Sequence, residues 1–186
     1  MLNGKYIITK GEDGQPTPMR NPAALGNAWY ITELVHARSS SEECAALGQV
    51  DLSNTMVIGS DFKQYADGFK PAAEGSSIKL TSYAPDVLTY KSESPADGTV
   101  VFSEIYYPYG WKAYIDGKPA DIFRANYLLR AMNIPAGNHD IRMEFRPDSV
   151  RKGNTVAVIF ILIMYATVLG VIAGALIKRY RQRKSA

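Results

Sequence analysis

The stretch "IYYPYGWKAYIDGKPA", Ile105 to Ala120, decides the fold. Asp116-Gly117-Lys118 is a tight hairpin signal, because Asp and Gly both tolerate the positive φ that a two-residue turn demands. It makes strands of the flanking "WKAYI" and "PADIFRA". Upstream, Ile105 and Tyr107 project opposite to Tyr106, and Pro108 and Gly110 must interrupt the ladder before Trp111. Tyr106, Tyr107, Tyr109, Trp111 and Tyr114 thus fall on or beside a strand break. Such a cluster either stacks on a ligand or closes a core, with Trp111 sealing a sandwich and its indole N–H bonded. The core seam is the commoner use of aromatic side chains. The candidates for carbohydrate contact are Tyr107, Tyr109 and Trp111.

Working outward, the pattern stays β. "SIKLTSY" from Ser77, "DVLTYKSES" from Asp86, "GTVVFSEIYY" from Gly98 and "YLLRAMNI" from Tyr127 read as strands. In "HDIRMEFRP", Ile141, Met143 and Phe145 oppose Asp140, Arg142, Glu144 and Arg146, a half-buried strand. Short strands at intervals of roughly ten residues predict an antiparallel β-sandwich, jelly-roll-like, over residues 1–150, with its strand-rich half at 77–147. Earlier, Lys5–Thr9 reads as a strand, 11–26 as a loop, and Ala28–Arg38 as one strand. "SSSEECAALG" predicts a short helix capped by Ser40 or Ser41, and Thr55–Ser60 a brief strand. Cys44, the sole cysteine, excludes an intrachain disulfide and reads as a small buried hydrophobe.

"TVAVIFILIMYATVLGVIAGALI", Thr155 to Ile177, holds no charge. As a helix it reaches roughly 34 Å, enough for a hydrocarbon core of about 30 Å. A transmembrane helix is expected at 154–177, with Asn154 as its N-cap. Ala166, Gly170 and Gly174 recur every fourth residue, the register of a helix-packing face. The basic tail 178–186, "KRYRQRKSA", belongs in the cytoplasm by the positive-inside rule, which puts 1–150 outside it. "MLNGKYIITKGEDG" is not a signal peptide. Either the orientation is inverted or, the favoured expectation, this is the end of a longer membrane protein, whose upstream helices carry the domain across.

The formal charge of +3 conceals a division. Seven of the 21 Lys/Arg, and no acid, lie from Arg151 onward, leaving 14 bases against 18 acids before it, a net of −4. The main domain has no electrostatic footprint for nucleic acid. His36 and His139 lack metal-ligand spacing, and no cofactor motif occurs. Glu104 and Asp121 are the only carboxylate pair worth weighing for sugar hydrolysis, without spacing to support it.

"YYPYGWKAYIDGKPADIFRANYLLRAMNIPAGNHDIRMEFRP", followed by one membrane helix and a basic end, resembles the C-terminal part of the YfhO family of bacterial multi-pass membrane proteins. "LNGKYIIT" and "NPAALGNAWYI" extend the resemblance over nearly the whole chain. The most specific element is Tyr-x-x-Gly-Trp, Asp-Gly-Lys and Pro-Ala-Gly-x-His in order. The resemblance implies a protein similar to the GT-C class of lipid-linked-sugar glycosyltransferases, linked to glycosylation of surface polymers such as lipoteichoic acid. The acidic catalytic residues of that class lie on an early outward loop, with no counterpart in this chain, so no catalytic residue is carried over. The partners so implied are the lipid bilayer, upstream transmembrane helices, and a glycan or lipid-linked sugar, at the bacterial cytoplasmic membrane. The alternative is a membrane-anchored carbohydrate-binding or adhesion module without catalysis.

Overall fold

A computed structural model describes residues 1–11 and 14–184. The chain forms two units, Met1–Phe145 and Arg146–Ala186. The first holds β1 (Tyr6–Lys10), β2 (Pro16–Arg20), β3 (Ala28–Ile31), β4 (Glu33–Ala37), α1 (Ser40–Ala46), β5 (Thr55–Gly59), a 3-10 turn (Ser60–Phe62) and α2 (Lys63–Ala66). Then come β6 (Ser77–Tyr83), β7 (Val87–Ser94), β8 (Gly98–Ile105), β9 (Trp111–Ile115), β10 (Lys118–Ala120), β11 (Phe123–Ala125), β12 (Leu129–Ile134) and β13 (Gly137–Phe145).

The expected mainly β, antiparallel architecture is present. One sheet runs β10-β9-β13-β7-β6 and a second β11-β12-β8-β3. Asp116 and Gly117 take φ of 50° and 78°, as the β9–β10 turn requires. Alternation on β7 and β13 buries Leu88, Tyr90, Ile141 and Met143 against Val100, Phe102, Met132 and Ile134 of the second sheet. The second sheet is also buried on its other face. Val101, Leu129 and Ala131 pack there with Ile31, Met56, Ile58, Phe123 and Ala125. β8 and β12 are therefore buried almost without a break over Gly98–Phe102 and Leu129–Met132, where an outer strand alternates. The domain has three layers, and the second sheet is the middle one.

The third layer explains where local pattern misleads. Ala28–Arg38 is two strands, because Thr32 N and Glu33 N both donate to Asn54 O (2.8 and 3.0 Å) and turn the chain. β4 leaves for a separate pairing with β5, and that pairing is parallel, with α1 in the crossover. Ser39, not Ser40 or Ser41, caps α1. Its Oγ accepts from Glu42 N (3.2 Å), while Glu42 Oε2 accepts from Arg38 N (2.9 Å), the residue before the cap, a variant of the capping box shifted by one donor. The helix turns Glu43 inward and Cys44 to solvent, the reverse of the expected burial. Within 11–26 lies β2, whose Pro16 and Pro18 fit because a two-stranded hairpin has only edge strands. "PADIFRA" likewise splits at Asp121–Ile122 into β10 and β11, which belong to different sheets.

The second unit is α3 (Asp148–Lys184). Residues Asp148–Gly174 are long and apolar enough to cross a membrane. The helix begins six residues before Asn154, so Asn154 lies inside it and Asp148 supplies the acidic first turn.

Candidate functional site

The aromatic stretch borders a cleft of about 460 Å³, within the range of roughly 300–1,000 Å³ usual for small-molecule sites. Tyr106, Tyr107, Trp111 and Tyr114 line it, joined by the polar ends of Lys112, Asp121 and Arg130. β9 and β10 form one wall and β12 supplies Arg130. Two cations against one carboxylate favour an anionic or polyhydroxy ligand, and aromatic walls suit sugar rings.

Arg130 is the unusual member. It is 3% exposed and projects toward the outer sheet from a register shift at Leu129/Arg130, the kind of irregularity that re-aims a side chain. Its Cζ lies 3.8 Å from the Trp111 ring centroid, Nε donates to Ile105 O (3.0 Å), and Nη1 faces Met143 Sδ (3.9 Å). Burial lowers its pKa, and the nearby Glu104 charge opposes that shift. Burial conversely raises the Glu104 carboxyl. Asp121 lines the cleft and Glu104 does not, so the cleft does not unite this pair.

The three candidate contact residues divide. Tyr107 and Trp111 line the cleft, and Tyr109 stands beside it, its ring 5.7 Å from that of Tyr107. Tyr107 and Tyr109 are exposed. Trp111 is half-buried against Phe145 (5.3 Å) and Arg130. The deeply buried indole is Trp29, whose Nε1 donates to Leu52 O (3.0 Å). Ala166, Gly170 and Gly174 all lie on α3, exposed and spaced to share one face.

A buried polar cluster had no sequence signal. Glu43 is fully buried; its Oε2 accepts from Arg124 Nη2 (3.1 Å) and its Oε1 from Tyr127 N (2.8 Å). Asn126 and Tyr127 both have positive φ (49° and 69°), a strained choice for tyrosine. Asn126 N donates to Val57 O (2.7 Å) and its Oδ1 accepts from Val57 N (2.8 Å). Glu43 and β5 together hold the β11–β12 turn in shape. Gly59 makes room: a Cβ there would lie 2.7 Å from Glu43 Oε2. Gly59→Ala is expected to destabilise the domain by about 1–3 kcal/mol, as overpacking does, read by chemical denaturation.

At the opposite end of the outer sheet, His139 Nδ1 and Asp116 Oδ2 are 2.6 Å apart, and His139 Nε2 lies 3.1 Å from Ala136 O. A carbonyl can only accept, so Nε2 donates to it; in the imidazolium Nδ1 donates to the carboxylate as well, so this pair of partners favours the charged ring. The Asp116 hydrogen bond raises the His139 pKa, and the same bond lowers that of Asp116. With His139 raised, its stabilisation is complete below its unfolded value of about 6.5 and is lost as pH rises through the folded value. The Asp116 contribution is present above about 3.9 and lost as pH falls through its depressed value. Thermal midpoints should decline above about pH 6.5. His139→Gln should flatten that decline; an unchanged slope would remove the pair as its source.

A family model described as "Bacterial membrane protein YfhO" matches residues 44–157, from α1 through β13 to the first turns of α3. No curated protein and no solved structure matches the chain. The matched span covers more than half of the chain and includes the cleft, Arg124 of the buried Glu43–Arg124 pair and the start of the apolar helix. The chain belongs to the YfhO family of bacterial membrane proteins.

Proposed function

We propose that this chain is the extracytoplasmic accessory domain and last transmembrane helix of a YfhO-like multi-pass membrane protein. Its role is to position a glycan or lipid-linked sugar in glycosylation of a cell-surface polymer, of the lipoteichoic-acid type. The parent is a glycosyltransferase of the GT-C type, whose chemistry resides in residues outside this chain. Residues 1–150 face away from the cytoplasm, 154–177 span the bilayer and 178–186 lie inside. Ala166, Gly170 and Gly174 pack against upstream helices of the parent.

The observation that supports this reading is the cleft with a buried guanidinium in it. A buried cation costs stability unless it is paired or put to use, and Arg130 meets the space enclosed by Tyr106, Tyr107, Trp111 and Tyr114. Glycan-array binding by the detergent-solubilised chain tests it. Trp111→Ala and Tyr107→Ala should each weaken binding about tenfold, equivalent to about 1.4 kcal/mol, with the circular dichroism unchanged. Tyr109→Ala, outside the cleft, should bind nearly as wild type. Unfolding of Trp111→Ala, with no binding change in Tyr107→Ala, would make the cluster a core seam and end the sugar-site reading. Binding by this chain at full affinity, with no transfer by the parent, would favour an adhesion module.

A further inference from the structure

The exposed apolar side chains of the first unit are not scattered. Leaving aside the N-terminal segment 1–26, the large ones among the described residues are Tyr83, Ile105, Tyr107, Tyr109 and Tyr127. Strand register places all five at one end of the sandwich. Phe145, the last residue of β13, pairs with Trp111 at the start of β9, and neighbouring Glu144 pairs with Val87 at the start of β7. Tyr83 ends β6 opposite Leu88. In the middle sheet Ile105 ends β8 opposite Leu129, which puts the β8–β9 loop (Tyr107, Tyr109) and the β11–β12 turn (Tyr127) at that end.

The hairpin joins them. Ser103, two residues before Ile105, donates through Oγ to Met1 O (2.9 Å) and Gly26 O (2.6 Å). Both ends of the segment that carries exposed Tyr6, Ile7, Ile8 and Met19 are therefore tied to this end. The opposite end presents Asp97, Asp116-Gly117 and Pro135–Gly137, polar turns with no large exposed apolar side chain among the described residues.

We propose that this aromatic end is a lipid-contacting surface that rests in the headgroup layer of the bilayer entered by α3. Three observations favour a membrane over another occupant. The chain leaves the domain here: Phe145 is three residues from Asp148, the first residue of the apolar span, a covalent reach of at most about 11 Å. Four of the five side chains are tyrosine, whose apolar ring and polar tip suit the membrane–water boundary rather than the hydrocarbon centre. Lys112 follows Trp111, and Lys5 and Arg20 stand at the base of the hairpin, cations placed for lipid phosphates. The contact with lipid is the same whichever side of the bilayer the domain occupies.

The test uses the whole chain with Cys44→Ser, reconstituted at one copy per nanodisc of phosphatidylcholine and phosphatidylglycerol. An environment-sensitive fluorophore is attached at Tyr83→Cys, Tyr109→Cys or, in the distal turn, Lys118→Cys. Tyr83 and Tyr109 are 65% and 70% exposed, so labels there leave the core intact. Labels at 83 and 109 should shift to the blue and lose emission when 5-doxyl lipid is included, while 118 changes in neither respect. Labels at 83 and 109 as wet and as unquenched as 118 would overturn the proposal. So would shielding that arises only at two copies per disc without lipid quenching, which would assign the surface to a copy-to-copy contact.

Discussion

Glu43→Ala should lower the stability of the domain by about 3 kcal/mol or more, as breaking a buried ion pair does. The carboxylate is wholly inside, and its removal leaves the Arg124 guanidinium, itself only 23% exposed, without its partner. It also frees Tyr127 N, so the positive-φ turn at Asn126 and Tyr127 loses one of its restraints. Arg124 has a second, weaker hold, its Cζ 5.3 Å from the Phe62 ring, which keeps the loss toward the low end of the range of roughly 3–5 kcal/mol. Urea denaturation of the variant against wild type gives the difference. Glu43→Gln should recover part of the loss by accepting from Tyr127 N, whereas a Glu43→Ala stability within about 0.5 kcal/mol of wild type would show that the cluster carries no weight.

Truncation on both faces of one strand should be costly. Leu129 and Met132 are fully buried on β12 and face opposite sides of the middle sheet. Each change to alanine should cost about 2–5 kcal/mol, the transfer energy of the side chain plus the cavity left behind. On the outer sheet the faces differ. Lys91 alternates with buried Tyr90 and Ser92, and its pairing with Asp140 at 3.8 Å is largely solvated. Lys91→Ala should therefore change stability by less than about 0.5 kcal/mol. If either Leu129→Ala or Met132→Ala were as mild, the sheet would have one buried face and the three-layer description would fail.

The features legible in the sequence are those that local chemistry fixes. Asp116-Gly117 dictates its turn, the alternation of Ile141 and Met143 with Asp140 and Arg142 dictates the two faces of β13 until Glu144, which is buried against expectation, and the uncharged run after Asn154 dictates a long apolar helix. The features that were not legible depend on distant partners. Thr32 ends a strand only because Asn54 O waits to accept two donors. The parallel β4–β5 pair needs α1 as its crossover. Glu43 turns inward because Arg124 and Tyr127, more than eighty positions on, provide its partners. Nothing local in "TVVF" or in the run from Leu128, which Arg130 and Asn133 interrupt, showed that both faces are covered, or by what. For the cleft, Tyr107 and Trp111 were visible as candidates, and Arg130 was not, since a single arginine in a strand carries no sign of being folded beneath an indole.

The proposed arrangement across the membrane rests on the side that the domain occupies, and Cys44 tests this directly. It is the only cysteine of the chain and is exposed on α1. A membrane-impermeant maleimide applied to cells with an intact cytoplasmic membrane should modify the peptide that carries Cys44. With Cys44→Ser and Ser185→Cys, modification should wait until the membrane is opened. Labelling of Cys44 only after lysis, together with labelling of the basic tail in intact cells, would contradict the arrangement outright.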